Sequence, residues 1–294
     1  MGSDSAVVTT ESSPSEEMPP MPVALERAFD LEAKGDTGGA IAELESALSE
    51  AHATPDALSF QDRITVALML ADFYHEADKL EKACDMLGEE VSFAEEYYQR
   101  VKQTGSREEK REAVDGLTVI RDQRTQLSLI GRDAPEITVK NWINSDPISI
   151  ASHRGNVLIL EFWATWCKPC HAMFPKIKKL IADHSERGLR VIALTRYYFS
   201  FKATAGSEEN ELELIQNFVR DHGLEFPVGI AEDAKTQMLY GAVGLPTFVL
   251  IDRRGAVRQY GRPGGDGSDP KFEEMLLQCL DEPPLGPRAS PPAS

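Results

Sequence analysis

Cys167 and Cys170 are the residues of this 294-residue chain whose type and spacing most directly imply chemistry. They end the segment Glu161-Phe-Trp-Ala-Thr-Trp-Cys-Lys-Pro-Cys, and His171 follows. A Cys-x-x-Cys pair can serve a metal or a redox cycle. A structural zinc site takes about four ligands. Here only Cys167, Cys170 and His171 cluster, because the other cysteines, Cys84 and Cys279, stand alone in helical surroundings. Disulfide exchange needs only one ionisable thiol and a second within bonding reach. The pair follows an apolar strand and opens a helix, where free amide N–H groups and the positive end of the helix dipole stabilise a thiolate. The two-residue spacing brings the second sulfur within disulfide reach of the first. Pro169 suits the first helical turn, since its φ is fixed and it has no amide to leave unpaired. Cys167, at the exposed helix start, is therefore assigned as attacking nucleophile, and Cys170, one turn further in, as resolving thiol. Lys168 adds a positive charge beside them. No cofactor and no metal are expected beyond a redox-active Cys167–Cys170 disulfide.

The elements that must position this pair are legible on either side. Val157-Leu-Ile-Leu-Glu-Phe-Trp is a nearly continuous apolar run, as in a central strand covered on both faces. Residues 168–185 read as the following helix, ending near Gly188. Further strands are predicted at 137–140, 190–195 and 226–228, and a hairpin at 247–252 and 256–260 about the turn Arg253-Arg-Gly. Helices are predicted at 208–221, 233–240 and 269–280. This order predicts an α/β sheet flanked by helices over residues 130–281, with a parallel core and one antiparallel edge pair.

Residues 21–129 have a different texture. Helix formers dominate, and apolar residues recur three and four apart, as at Leu25, Ala28 and Leu31, then Ala40, Leu44 and Ala47. Breaks are predicted at Lys34-Gly-Asp, Ala53-Thr-Pro-Asp and Thr104-Gly-Ser. A shift of about 43 residues places Leu25 on Leu68, Ala28 on Ala71, Ala40 on Ala83 and Leu44 on Leu87. Gly35 then falls at the turn between paired helices, with Asp78 in the same place in the second copy. The recurrence resembles the tetratricopeptide pattern, and an unrelated helical bundle is the alternative. Cys84 reads as a buried, unreactive thiol. Residues 1–20 and 282–294 are rich in Ser, Pro and Glu or Pro and Ser, and are expected to be disordered tails.

A net charge of −17 disfavours nucleic acid and anionic membrane surfaces as partners. No stretch has the length and composition of a signal peptide or a membrane span. Met1-Gly2 lacks the Ser or Thr that myristoylation wants at position 6, which is Ala6. A cytoplasmic location is the resulting expectation, and four cysteines in 294 residues do not suggest a secreted disulfide scaffold.

Residues 132–281 resemble the thioredoxin superfamily, in particular its redoxin/TlpA-like branch. The resemblance rests on Asp133-Ala-Pro-Glu before the first strand, on Phe162-Trp-Ala-Thr-Trp-Cys, and on Gly244-Leu-Pro-Thr. It implies a thioredoxin-like fold and a protein-disulfide oxidoreductase acting on disulfide-containing proteins and recharged by a reductase or dithiol donor. It further implies that Pro246 is a cis-proline opposite the cysteines. The backbone of Leu245 would then pair with an extended substrate, while Trp166 and Pro169 shape apolar ground around Cys167. Glu161 occupies the place of the family's buried acid beneath the second cysteine. A carboxyl in an apolar strand resists ionisation, which suits it to take a proton from Cys170. The alternative is that Glu161 faces a polar edge and only makes a hydrogen bond. Met173 stands where cytochrome c maturation reductases of this branch commonly carry Glu, so their substrate is not transferred. His171 is expected at the surface. Two other functions remain open. A peroxiredoxin-like peroxidase would want Thr three residues before the reactive cysteine, and here Thr165 is two before. A redox-sensing adaptor without catalysis would use the helical half for binding.

Overall fold

The computed structural model describes residues 21–54, 57–198, 208–261 and 269–283. The two predicted tails, 1–20 and all but the first two residues of 282–294, lie outside the described residues. Cα packing divides the chain into two compact units, Met1–Val66 and Ala67–Ser294, and the division falls within a helix, α3 (Phe60–Glu76).

In the first unit α1 (Val23–Ala33) and α2 (Thr37–Ala53) form a hairpin. Leu25, Ala28, Ala40 and Leu44, the periodic residues of the sequence, are its buried contacts. Gly35 turns the chain with φ of 80°, a left-handed conformation that costs glycine little. Asp36 then caps α2 by accepting from the Gly39 amide at 2.8 Å.

In the second unit the rest of α3 leads through Asp78, at φ 57°, into α4 (Leu80–Thr104). The predicted break at Thr104-Gly-Ser separates α4 from α5 (Arg107–Leu129). A capping box starts α5: Glu109 N–H donates to Ser106 Oγ, and Ser106 N–H donates to the Glu109 carboxylate. The sheet follows, with β1 (Asn141–Ile143), β2 (Val157–Phe162), β3 (Leu189–Arg196), β4 (Val228–Ala231), β5 (Thr247–Ile251) and β6 (Val257–Gly261) in the order β1-β4-β3-β2-β5-β6. The helices between them are α6 (Lys168–His184), α7 (Glu208–Asp221), α8 (Lys235–Tyr240) and α9 (Pro270–Asp281). No helix among the described residues is long and apolar enough to cross a membrane.

Three features differ from the sequence expectation. The pairs β4–β3 and β3–β2 are parallel, but β1–β4, β2–β5 and β5–β6 are antiparallel, so the parallel core has antiparallel strands on both sides. Residues 137–140 are not a strand; the strand begins at Asn141. Their backbone is satisfied partly by side chains: Thr138 N–H donates to Thr236 Oγ1 at 3.2 Å, and the Thr236 hydroxyl donates back to the Thr138 carbonyl. Ile137 nevertheless reaches the core, which explains the apolar signal. The strand predicted at 226–228 begins at Val228, because Pro227 has no amide to donate. Its carbonyl still accepts from Ala193 N–H at 3.0 Å.

Alternation along β2 separates two apolar layers. Val157 and Ile159 join α6, α7 and α9 through Phe174, Ile177, Ile215, Val219, Phe272 and Leu276. Leu158, Leu160 and Phe162 join Ile137, Ile150, Tyr240 and Val249 on the other face. Every β2 residue is buried, as its apolar run demands.

Candidate active site

Cys167 caps α6, so its side chain sits where the first turn of the helix leaves amides unpaired. Cys170 N–H donates to Cys167 Sγ at 3.3 Å. The two sulfurs form a disulfide, with the Cα atoms 5.3 Å apart. Pro169 stands in the first turn without interrupting a bond, and Pro175 lies inside the helix. Lys168 and Pro169 are exposed beside the disulfide. Cys170 is fully buried, as expected, but Cys167 is only 3% exposed, which corrects its placement at an open helix start. Its side chain belongs to the apolar cluster of Trp163, Phe174 and Tyr198, against which Leu245 packs.

The residues that back Trp166, namely Tyr198, Arg196 and Gln237, carry no motif and were not found from the sequence. Trp166, 47% exposed, meets the ring of Tyr198 edge-on with centroids 5.4 Å apart. The Arg196 guanidinium lies 3.9 Å from the Tyr198 centroid. Gln237 ties the two together, accepting from Arg196 Nε at 2.8 Å and donating to the Tyr198 hydroxyl at 2.9 Å. Burial pushes the Tyr198 hydroxyl pKa up. Only the aromatic and basic character of the end of β3 hinted at this arrangement.

Glu161 is wholly buried, and neither of its carboxyl oxygens has a hydrogen-bond partner among the described residues. The polar-edge alternative is thereby overturned. By strand alternation it shares the face of Val157 and Ile159, and its cross-strand neighbours Ala193 and Phe248 belong to the cluster that holds both cysteines. Burial raises its pKa well above the usual carboxylate range, so the neutral acid is favoured.

His171 is half-buried, which corrects the surface expectation. Its Nε2 lies 3.0 Å from the Thr165 carbonyl, and its ring contacts Phe218 at 4.8 Å. Phe218 in turn stacks on His222 at 3.9 Å. These ring contacts hold His171 against α7.

The Leu245–Pro246 peptide bond is cis. Both residues are half-buried, and Leu245 packs against the apolar layers on either face of the sheet. Thr247 donates its hydroxyl to the Gly244 carbonyl at 2.6 Å. Gly244 N–H donates to Asp122 Oδ2 on α5 at 2.9 Å, a contact that sequence reasoning did not foresee.

A disulfide in the first turn of the helix that follows the central strand, together with a cis-proline loop entering the neighbouring strand, defines a thioredoxin-fold thiol–disulfide oxidoreductase. The comparisons place it more closely. The sequence profile of the AhpC/TSA family matches residues 130–260. The thiol–disulfide oxidoreductase ResA of Bacillus thuringiensis subsp. konkukian is 32% identical over 147 residues, covering 50% of this chain and 76% of that protein. ResA of Halalkalibacterium halodurans is 30% identical over 132 residues, covering 45% and 67%. Among solved structures, a thiol–disulfide isomerase from Corynebacterium glutamicum aligns with 25% identity and a TM-score of 0.43, over 51% of this chain and 98% of that one. The chain belongs to the ResA-like family of thiol–disulfide oxidoreductases, with Cys167–Cys170 as its Cys-x-x-Cys pair.

Proposed function

We propose that the chain reduces or exchanges disulfides in polypeptide substrates and is recharged by a dithiol or reductase partner. In the reduced protein the Cys167 thiolate attacks one sulfur of a substrate disulfide, forming a mixed disulfide and releasing the other substrate sulfur as a thiolate. Glu161, in the ionised form that its site makes strongly basic, takes the proton of Cys170 as that thiol attacks Cys167 Sγ. The Cys167–Cys170 bond forms, and the second substrate sulfur leaves and takes up a proton. The substrate gains two electrons, which the dithiol loses. The observation that carries this reading is a helix-capping disulfide in the apolar cluster that also holds Ala193 and Phe248, the cross-strand neighbours of Glu161, whose carboxyl has no hydrogen-bond partner among the described residues. A buried carboxylate whose charge is disfavoured is a strong base, suited to take the Cys170 proton as that thiol attacks.

Trp166 and Pro169 supply exposed apolar ground beside Cys167, and the Leu245 backbone pairs with an extended substrate segment as in strand addition. Residues 21–129 form a tetratricopeptide-like domain that binds a protein partner, ahead of the redox domain at 130–281. The left-handed turns at Gly35 and Asp78, equivalent under the sequence repeat, support that pairing. The compartment is the cytoplasm, where a Cys-x-x-Cys pair is kept reduced and runs as a reductant.

An insulin-reduction assay with dithiothreitol tests the catalytic reading. The wild-type chain should accelerate precipitation of the insulin B chain, and Cys167→Ser should abolish the acceleration. No acceleration by the wild type would leave the adaptor reading. A fast stoichiometric reaction of the reduced protein with micromolar hydrogen peroxide would move the function to a peroxidase.

A further inference from the structure

The helix preceding the redox fold enters the substrate loop. Asp122 and Gln126 lie one turn apart on α5, so their side chains share a face. Asp122, 4% exposed, accepts from the Gly244 amide, and Gln126 Nε2 donates to the Gly241 carbonyl. The two side chains therefore grip both ends of the segment Gly241-Ala-Val-Gly, which leads directly into Leu245 and the cis-proline. The backbones are also close: Gly241 has φ of 58°, and a Cβ placed there would lie 2.5 Å from the Asp122 carbonyl oxygen. Only glycine permits that approach.

We propose that Asp122 is a positioning residue for the Leu245–Pro246 loop, through which α5 sets the enzyme's affinity for polypeptide disulfides. The inference rests on the proposed pairing of substrate with the Leu245 backbone. An incoming strand is recognised by main-chain hydrogen bonds, whose strength depends on the plane of the acceptor and donor peptides. The Gly244 amide belongs to the Val243–Gly244 peptide, one link before the Gly244–Leu245 peptide, and a bond to the buried Asp122 carboxylate fixes the orientation from which the chain enters Leu245. A small disulfide with no polypeptide backbone does not use this loop, so its reaction at Cys167 is independent of Asp122.

The test compares wild type, Asp122→Asn and Asp122→Ala in the reduction of insulin and of the small aromatic disulfide dithiobis(nitrobenzoate). Asn keeps a neutral acceptor and Ala removes it. The KM for insulin should rise about threefold in D122N and about tenfold in D122A, following the loss of a charge-assisted bond. The kcat and the rate with the small disulfide should stay within about twofold of wild type. Gly244 amide exchange, read by NMR, should quicken in the same order. If D122A does not fold, D122N carries the test alone. An unchanged insulin KM in the folded variants, or a parallel fall in the reaction with both disulfides, overturns the proposal. A wild-type chain that reduces neither disulfide sinks the function itself, which is a different outcome from a wild-type chain whose activity ignores Asp122.

Discussion

The Cys170 amide points at Cys167 Sγ from 3.3 Å, across the first turn of α6. A sulfur in that position becomes a better acceptor as it gains charge, so the helix end favours the thiolate. The remaining cysteines lie in the opposite environment. Burial raises the Cys279 pKa to about 11 and also lifts that of Cys84. At pH 7 Cys279 is therefore overwhelmingly the neutral thiol. After mild reduction, iodoacetamide at pH 7 should label Cys167 at least about a hundredfold faster than Cys279, as read by peptide mass spectrometry. Equal labelling would remove the premise of an activated nucleophile.

Glu161→Gln isolates the proton step. The amide matches the carboxyl in size but cannot accept the Cys170 proton. Attack by Cys167 should continue, while resolution slows by about a hundredfold, the usual scale for losing a general base. The mixed disulfide should accumulate in quenched samples resolved on a non-reducing gel. Resolution at the wild-type rate in E161Q would exclude the carboxyl as acceptor.

The same residue makes stability depend on pH in a calculable direction. In the unfolded chain Glu161 ionises near pH ~4.3, whereas burial in the fold keeps it protonated to much higher pH. Between those two pKa values the native state holds a proton that the unfolded state has lost, so stability falls as pH rises. Urea unfolding of the oxidised protein should show the wild type losing more stability than E161Q between pH 5 and pH 8. Parallel curves for the two proteins would mean that water or rearrangement relieves the carboxyl.

The disulfide and the cis peptide were legible because a local motif, read with the family resemblance, marks each. An apolar run, a Cys-x-x-Cys at a helix start and a Gly-Leu-Pro-Thr segment locate β2, the disulfide and the cis peptide within a residue or two. Gly35 and Asp78 were placed by a repeat, and both adopt the left-handed turn. What escaped depends on contacts between distant residues. Asp122 and Gly244 are 122 residues apart, and Arg196 and Gln237 are 41 apart. Nothing in Arg121-Asp-Gln-Arg-Thr-Gln distinguishes a solvated helical stretch from one whose Asp122 and Gln126 are buried. The burial of Cys167 was missed for a related reason, since a helix start looks exposed until tyrosine and leucine side chains from other elements cover it.

The contact between α5 and Gly241 can be weighed against a glycine that has the same backbone need and none of the crowding. Gly131 has φ of 78° with nothing within 4 Å of where a Cβ would sit, whereas a Cβ on Gly241 would meet the Asp122 carbonyl at 2.5 Å. Gly131→Ala should therefore cost only the left-handed penalty of about 1–2 kcal/mol. Gly241→Ala carries that penalty and must also push α5 from the loop, so its total loss should exceed the Gly131→Ala loss by about 1–3 kcal/mol, the range for overpacking. Urea unfolding of the two variants at one pH measures the difference directly. Because displacement of α5 also moves Asp122 away from Gly244, Gly241→Ala should raise the KM for insulin while Gly131→Ala leaves it alone. Equal destabilisation with equal KM values would mean that α5 yields without strain and does not hold the loop.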